Sequence, residues 1–149
     1  HAHSYTRCAT ASCAATRCCW AVDNRTADYR VGGEASKAIR VECRIPGSDM
    51  NPYLAQAALL AAGIKGIEEK LALPPVFEGD AYEDKTSEHI PRNLRDAKDA
   101  LRGSDMLREA FGDDVVDHYT RAAEWEQEEF DRVVTDWEIA RGFERAYIQ

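Results

Sequence analysis

The feature that most constrains the fold is a change in the period of the hydrophobic pattern at Asn51-Pro52. Before it, residues 38–45, AIRVECRI, alternate charged and apolar side chains with the two-residue period of a β-strand. After it, apolar residues recur three and four positions apart, as on one face of an α-helix. Proline suits the first helical turn because the N–H that it lacks has no partner there, and Asn51 can cap that turn. The sequence therefore predicts a strand-rich part, residues 1–50, followed by a helical part, residues 51–149.

The strand-rich part is predicted to contain an antiparallel hairpin. Gly32-Gly33 marks a tight turn between Tyr29–Val31 and the strand at 38–45. Trp20–Val22 is predicted to form a further short strand that ends at Asp23. Strands first and helices afterwards indicate the α+β class, with the helices packed to one side of a mostly antiparallel sheet.

Charged and apolar residues alternate along the strand at 38–45. Arg40, Glu42 and Arg44 share one face, because side chains two residues apart in a strand point the same way. The other face is apolar and is expected to face the core; it carries Val41, Cys43 and Ile45.

The charged face admits two interpretations from its pattern alone. Surface ion pairs are common and weak, so a solvated row of mutually screening charges is the simpler one. Alternatively, the face is one wall of a cleft, in which Glu42 holds Mg²⁺ and the arginines hold phosphate oxygens. Arg25 and Arg30, in the preceding segment NRTADYR, would join that cleft through the hairpin.

Residues 51–149 are predicted to form five helices, with a loop over 73–92 that is expected to be exposed. The first helix, from Pro52, is expected to be buried on most sides because its apolar stripe is wide. Capping residues and glycines bound the other four, which are predicted at 94–102, at 105–111, at about 113–134 and from the capping box Thr135–Glu138 onward.

Composition favours a soluble globular domain, with 44% hydrophobic and 31% charged residues. No apolar run approaches the ~18 residues of a membrane span, and no membrane partner is expected. Residues 1–50 hold seven basic and five acidic residues, whereas residues 51–149 hold twelve basic and twenty-two acidic ones. The acidic helical part argues against a nucleic-acid partner, and the clustered arginines suit phosphate or carboxylate groups.

Five cysteines occur, at positions 8, 13, 18, 19 and 43. An odd number without a secretory signal predicts a reducing compartment, the cytoplasm. Their spacing differs from that of a zinc knuckle, so small buried or half-buried thiols are expected, with a zinc site as the alternative. Because the chain opens HAHSYTR, without an initiator methionine, it is expected to be a piece of a longer protein.

Three motifs follow one another along the chain: HSYTR at 3–7, DNRTADYR at 23–30 and RVECRIPGSDMNPYLAQAALLAAG at 40–63. They resemble the segments N-S-Y-K-R, N-R-(S/T)-A-x-x-R and E-x-R followed by N-P-Y-L in the C-terminal catalytic part of the glutamine synthetase family. The resemblance runs without an evident gap from Ser4 to about Leu71. The helical remainder, with AEWEQEEFDRVVTDWE, is similar to the branch that joins glutamate to ammonia or to small amines.

The resemblance implies a role for each matching residue. Glu42 matches a metal-ligand glutamate for Mg²⁺ or Mn²⁺. Arg44 matches an arginine near the substrate carboxylate and the phosphate transferred to it, and Arg7 matches one that faces the glutamate substrate. Three further arginines match basic residues at the nucleotide-phosphate end of the cleft: Arg25, Arg30 and Arg40. Among all the arginines with an implied role, Arg25 and Arg44 are the candidate catalytic residues.

The resemblance also implies the activity of the parent protein. The implied parent protein is an ATP-dependent glutamate–ammonia ligase, which forms a γ-glutamyl amide through γ-glutamyl phosphate and works as a homo-oligomer. A γ-glutamyl ligase for another amine, such as methylamine or a polyamine, is one alternative, and a non-enzymatic remnant is another. The chain alone is expected to be inactive, because the other metal ligands of the family lie upstream of these motifs.

The segment that follows Arg7 departs most from the family pattern. Where the family has a flap with Pro and Gly, this chain reads CATASCAAT at 8–16. Cys13 stands where ammonia-using bacterial members carry a glutamate that closes the amine site. Alanine cannot adopt the positive φ of glycine cheaply, so an altered flap geometry is expected.

Overall fold

The computed structural model describes Tyr5 and residues 16–145, apart from the side chain of Glu144. Within these residues, three strands precede five helices, which confirms the predicted α+β class. The strands are β1 (Trp20–Val22), β2 (Tyr29–Gly32) and β3 (Arg40–Cys43). The helices are α1 (Pro52–Glu68), α2 (Leu94–Arg102), α3 (Asp105–Phe111), α4 (Asp113–Asp131) and α5 (Asp136–Arg145).

The predicted hairpin is formed by β2 and β3, which pair antiparallel in a sheet of order β1-β2-β3. The turn requires glycine at Gly33, because its φ is +75° and a Cβ there would lie 2.3 Å from the carbonyl oxygen of Ala38. β3 is shorter than the strand predicted at 38–45, so that Arg44 lies just beyond its end.

β1 pairs with β2 in parallel, which differs from the mostly antiparallel sheet expected from the sequence. The connection between them turns back sharply and brings the chain alongside the start of β1. The N–H of Asp23 donates to the carbonyl of Val31 at 2.9 Å, and the N–H of Tyr29 donates to the carbonyl of Cys19 at 3.1 Å. These bonds hold the six-residue connection, 23–28, over the end of the sheet.

The loop at 73–92 was expected to be exposed, and for part of its length this is wrong. Ala81 is fully buried and Ile90 is nearly so. Phe77 donates its N–H to the carbonyl of Trp20 at 2.9 Å, and Cys18 donates to the carbonyl of Glu88 at 2.8 Å. The loop runs beside β1 because a three-stranded sheet leaves the polar backbone of its edge strand in need of partners. The small core beneath it is formed by Cys19, Ala21, Ala27 and Ala81, with Phe77 packed against them.

Helix α1 begins at Pro52 as predicted, but the expectation that it is buried on most sides is wrong. No residue of α1 is buried, and Tyr53 and Ile67 are 84% and 79% exposed. Val41, on the apolar face of β3, is likewise 66% exposed instead of facing a core. An apolar pattern predicts which face is withdrawn from water, and it does not require that the covering surface lie within the same 149 residues.

Helices α2, α3 and α4 form a packed group. α2 and α3 begin and end where their capping residues predicted, with side-chain caps from Asn93 and Ser104. α4 packs against α2 and α3, and it ends at Asp131, three residues before the predicted bound.

The last helix, α5, opens with the predicted capping box. The Thr135 N–H donates to Glu138 Oε2 at 2.8 Å, and the Glu138 N–H donates back to Thr135 Oγ1 at 3.3 Å. Among the helices of the described residues, none is both long enough and apolar enough to cross a membrane.

Candidate active site

The hairpin register places the predicted charged residues opposite one another. Arg30 pairs with Glu42 across β2 and β3, and Gly32 pairs with Arg40. Glu42 therefore lies between two guanidinium groups: Arg30 Nη1 is 3.3 Å from Oε2, and Arg44 Nη1 is 3.4 Å from Oε1. We call Arg30, Arg40, Glu42 and Arg44 the charged hairpin face.

Asp23, at the end of β1, extends this face and was missed by the sequence analysis. Its Oδ1 lies 3.0 Å from Arg30 Nη2. A Cβ built on Gly32 would lie 3.5 Å from that same carboxylate oxygen and 3.5 Å from the guanidinium of Arg40. The Arg40 and Asp23 side chains thus both lie beside Gly32. An acidic residue directly after a predicted strand next to an arginine-rich hairpin was the available signal.

The charged hairpin face and Asp23 carry three positive and two negative groups. The ion pairs are long, at 3.0 to 3.4 Å, and the carboxylates are about half exposed, so they contribute little to stability. Arg30 and Arg44 are more deeply set, with side chains 20% and 15% exposed. An anion that reached this face would meet guanidinium groups already held in place, which lowers the ordering cost of binding it.

Arg25 lies apart from the charged hairpin face. It is exposed in the turn between β1 and β2, and within the described residues no ion pair joins it to that face. The turn itself is held firmly. Asn24 Oδ1 accepts from the N–H of Thr26 at 2.9 Å, and Asn24 Nδ2 donates to the carbonyl of Gly79 at 2.8 Å. Thr26 Oγ1 accepts from the N–H of Ala81 at 2.9 Å.

The residues of the motif NRTA therefore have two different roles, a structural clamp and an exposed arginine, which the sequence analysis did not separate. Asn24 and Thr26 clamp the turn onto the loop around Ala81, and Ala27 is fully buried beneath it. An Asn side chain that accepts the N–H two residues on is a recognised turn signature, which could have identified the turn from sequence but not its clamp onto the loop. Arg25 is then the exposed residue that the clamp presents to solvent.

Arg7 and the altered flap segment with Cys13 lie outside the described residues. Of the described cysteines, Cys19 is buried and Cys43 half-buried, as expected, whereas Cys18 is exposed. Burial raises the pKa of the Cys19 thiol above its usual range.

Asp28 is a second site residue that the sequence analysis missed. It is fully buried, directly before β2, and its carbonyl accepts the N–H of Arg44 at 2.8 Å. Burial raises the pKa of its carboxyl group to about 7, and the N–H of Arg17 and the charge of Arg44 oppose that shift. Nothing in the local pattern DNRTADYR marks this aspartate as buried: of its other seven residues, Ala27 is buried and six are exposed or half-buried.

The described residues do not by themselves complete a metal site. No group of three or more His, Cys, Asp or Glu side chains among them is arranged to hold a metal ion. Glu42 offers one carboxylate, and both its oxygens face guanidinium groups. A Mg²⁺ ion requires six oxygen ligands in octahedral geometry, so Glu42 alone does not fit it.

The chain is similar to one family of known proteins. The family model described as "Glutamine synthetase, catalytic domain" matches residues 1–142. The chain is 46% identical over 145 residues to gamma-glutamylethanolamide synthetase GlnA4 of Streptomyces coelicolor, covering 97% of this chain and 31% of that protein. It is 41% identical over 143 residues to glutamate–isopropylamine ligase of a Pseudomonas species, covering 93% and 31%.

Two further matches extend the comparison to glutamine synthetase itself and to a solved structure. Glutamine synthetase of Thermus thermophilus is 35% identical over 146 residues, covering 93% of this chain and 33% of that protein. A solved GmaS/ADP complex superposes with a TM-score of 0.77 at 26% identity, covering 91% of this chain and 31% of that one. The chain thus spans about a third of the length of the relatives it matches.

Proposed function

This chain belongs to the glutamine synthetase family, whose catalytic-domain model it matches, and on that premise we propose that it is the C-terminal catalytic segment of an ATP-dependent ligase that joins glutamate to ammonia or a small amine. The observation that carries the proposal is the charged hairpin face, where the guanidinium groups of Arg30 and Arg44 lie on either side of Glu42. Because the chain spans about a third of its relatives, the activity is proposed for the full-length protein.

The proposed reaction brings together two anions, the γ-carboxylate of glutamate and the phosphates of ATP. A carboxylate oxygen forms a bond to the terminal phosphorus while the bond to ADP breaks, giving γ-glutamyl phosphate and ADP. The amine nitrogen then attacks the acyl carbon, inorganic phosphate leaves with the electron pair of the C–O bond, and the nitrogen loses a proton. Both steps require cations, which offset the repulsion between substrates and the charge on the transferred group.

The arginines of this chain would supply part of that positive charge. We assign Arg44 and Arg7 to the glutamate substrate, with Arg44 also near the transferred phosphate, and Arg25, Arg30 and Arg40 to the nucleotide phosphates. Glu42 holds Arg30 and Arg44 on either side of one carboxylate. This spacing supports the assignment, because two fixed guanidinium groups can meet two neighbouring anionic groups without rearrangement.

Glu42 is also proposed to contribute one ligand to Mg²⁺ or Mn²⁺. The described residues do not complete such a site, so the remaining ligands would come from the rest of the full-length protein. When bound, a divalent ion would neutralise phosphate charge.

The amine is proposed to be larger than ammonia. The relatives with 46% and 41% identity bear names of ligases for ethanolamine and isopropylamine, whereas the glutamine synthetases match at 34–37%. Cys13 in place of the glutamate that closes the ammonium site supports the same choice. Ammonia remains the alternative substrate.

Exposed apolar surface supports the need for further protein around this chain. Tyr53, Ile67 and Val41 lie on faces with the apolar pattern of a core and are largely exposed. We propose that the full-length protein covers these faces, works as a homo-oligomer in the cytoplasm, and has a complete site that this chain alone lacks.

The test is phosphate release by the full-length protein with ATP, glutamate and, in turn, ethanolamine, isopropylamine and ammonia. Arg44→Gln and Glu42→Gln should each lower kcat/KM by about a hundredfold or more, since each removes a charge at the reacting groups. Glu34→Gln, in the exposed hairpin turn, is the matched control and should leave the rate unchanged. Absence of amine-dependent phosphate release with all three amines would instead support a non-enzymatic remnant.

A further inference from the structure

Asp28 is a buried acidic residue that the proposed reaction does not use. It has no exposed surface, and neither of its carboxylate oxygens has a hydrogen-bond partner among the described residues. A buried carboxylate that is ionised and unpaired is costly, because it has lost its hydration without compensation. Its charge state therefore depends on the few groups that face it.

The backbone ties Asp28 to the charged hairpin face. The Arg44 N–H donates to the Asp28 carbonyl at 2.8 Å, which continues the pairing of Arg30 with Glu42 two residues further along each segment. The Arg44 side chain is 15% exposed, and its Nη1 lies 3.4 Å from Glu42 Oε1. The guanidinium of Arg44 is thus influenced by two carboxyl groups, Glu42 with its half-exposed side chain and Asp28 in the interior.

The other groups around Asp28 leave Arg44 as the main cation facing it. The titratable and charged groups that interact with it come from the segment before β1, from β2 and from the end of β3; they are Arg17, Cys18, Cys19, Tyr29 and Arg44. Of the two arginines, Arg17 acts through its backbone N–H, and its Nη1 donates to the carbonyl of Ser87 at 3.0 Å. The thiols and the phenol are neutral near pH 7, because burial raises their pKa values.

We propose that Asp28 is a positioning residue for Arg44, and that its protonation sets how much of the Arg44 charge is available to an anionic substrate. This inference rests on the proposed function of Arg44 as an anion-binding residue. When Asp28 is ionised, its charge attracts the guanidinium inward and repels an incoming anion. When Asp28 is protonated, that attraction is lost, while Glu42 still pairs with Arg44.

The sign of the effect follows from linkage. An anion bound at Arg44 disfavours the ionised form of Asp28, so binding should be accompanied by proton uptake. By the same reciprocity, the anion should bind more tightly at low pH than at high pH. Because burial raises the pKa of Asp28 to about 7, the change should fall between about pH 6 and pH 8.5.

The test uses the full-length protein, with glutamate and sulfate as probes because neither changes its net charge appreciably over this range. From pH 6 to pH 8.5, the affinity of the wild-type protein for each should fall by about fivefold or more. Asp28→Asn, which is isosteric and does not titrate, should bind with little pH dependence. Asp114→Asn, an exposed residue on α4, is the matched control and should behave as wild type. An Asp28→Asn protein with the same pH dependence as wild type would overturn the proposal.

Two further measurements test the coupling between Asp28 protonation and anion binding if Asp28→Asn does not fold. Asp28→Ser is a smaller neutral replacement for the same position and should also lose the pH dependence. In the wild-type protein, calorimetry in buffers of different ionisation enthalpy at pH 7.5 should detect proton uptake on sulfate binding; zero uptake would refute the coupling. If sulfate binding takes up a proton through Asp28 but no amine-dependent phosphate release occurs, the proposed function fails while the Asp28 assignment is supported.

Discussion

The burial of Asp28 predicts that the stability of the fold falls as pH rises, and that Asp28→Asn abolishes this fall. The carboxyl group has a pKa of about 7 in the folded protein, against 3.8 for the unperturbed side chain. Between these values the folded state binds a proton that the unfolded state has lost. Stability is therefore fully present below pH 3.8 and decreases as pH rises, until the folded-state pKa is passed.

The magnitude follows from the size of the shift. A difference of one pKa unit corresponds to about 1.4 kcal/mol, so the shift from 3.8 to about 7 costs the folded state about 4 kcal/mol when Asp28 is ionised. At pH 5 roughly 1.5 kcal/mol of this has been lost, which leaves a fall of about 2–3 kcal/mol between pH 5 and pH 8. The stability of Asp28→Asn should not show this fall with pH, since the amide does not titrate.

The assay is urea unfolding at pH 5, 6, 7 and 8, followed by tryptophan fluorescence. Trp20 contributes to this signal, and its Nε1 donates to the carbonyl of Pro74 at 2.8 Å. The quantity compared is the difference in unfolding free energy between wild type and Asp28→Asn at each pH. Asp114→Asn, at an exposed position, provides the same chemical change without burial. If the difference for Asp28→Asn is the same at pH 5 and pH 8, the carboxyl group is not buried as described and the reasoning is refuted.

Two predictions concern the turns that hold the site. Gly33→Ala should destabilise the fold by about 2 kcal/mol or more in urea unfolding, because φ is +75° and the new Cβ would lie 2.3 Å from the Ala38 carbonyl oxygen. The control Gly63→Ala, in helix α1 with open space around the site, should be neutral or slightly stabilising, and equal losses for the two would contradict the turn geometry. Thr26→Val should lower the free energy of unfolding by about 1–3 kcal/mol, because the part-buried N–H of Ala81 loses its acceptor. Hydrogen exchange of the Ala81 amide should become faster, and an unchanged rate would argue against the clamp.

The elements of this chain that could be predicted from sequence are those set by neighbouring residues. Asn93 and the Thr135–Glu138 box bound their helices through bonds that span three residues, and they were placed correctly. The hairpin followed from Gly32-Gly33 in the same way, whereas the register that pairs Arg30 with Glu42 came from the structure. A local signal suffices when the partner that satisfies a backbone group lies within a few positions.

The features that could not be predicted depend on partners far along the chain. The parallel pairing of β1 with β2 leaves an edge that the loop at 73–92 covers, and Thr26 reaches Ala81 across 55 residues. Burial was misjudged for α1 and for the apolar face of β3 because periodicity marks a protected face without saying what protects it.

For the candidate site, the residue types, the shared face of Glu42 and Arg44, and the hairpin were determined by the sequence itself, through a two-residue period and a glycine turn. The register that sets Arg30 opposite Glu42 came from the structure. Only the tertiary structure decided that Arg25 stands apart on a clamped turn, and that Asp28 is buried close enough to Arg44 for their charges to interact. The physical reason is that the charge state of a carboxyl group depends on its distance from water and from other ions, and those distances are set by packing.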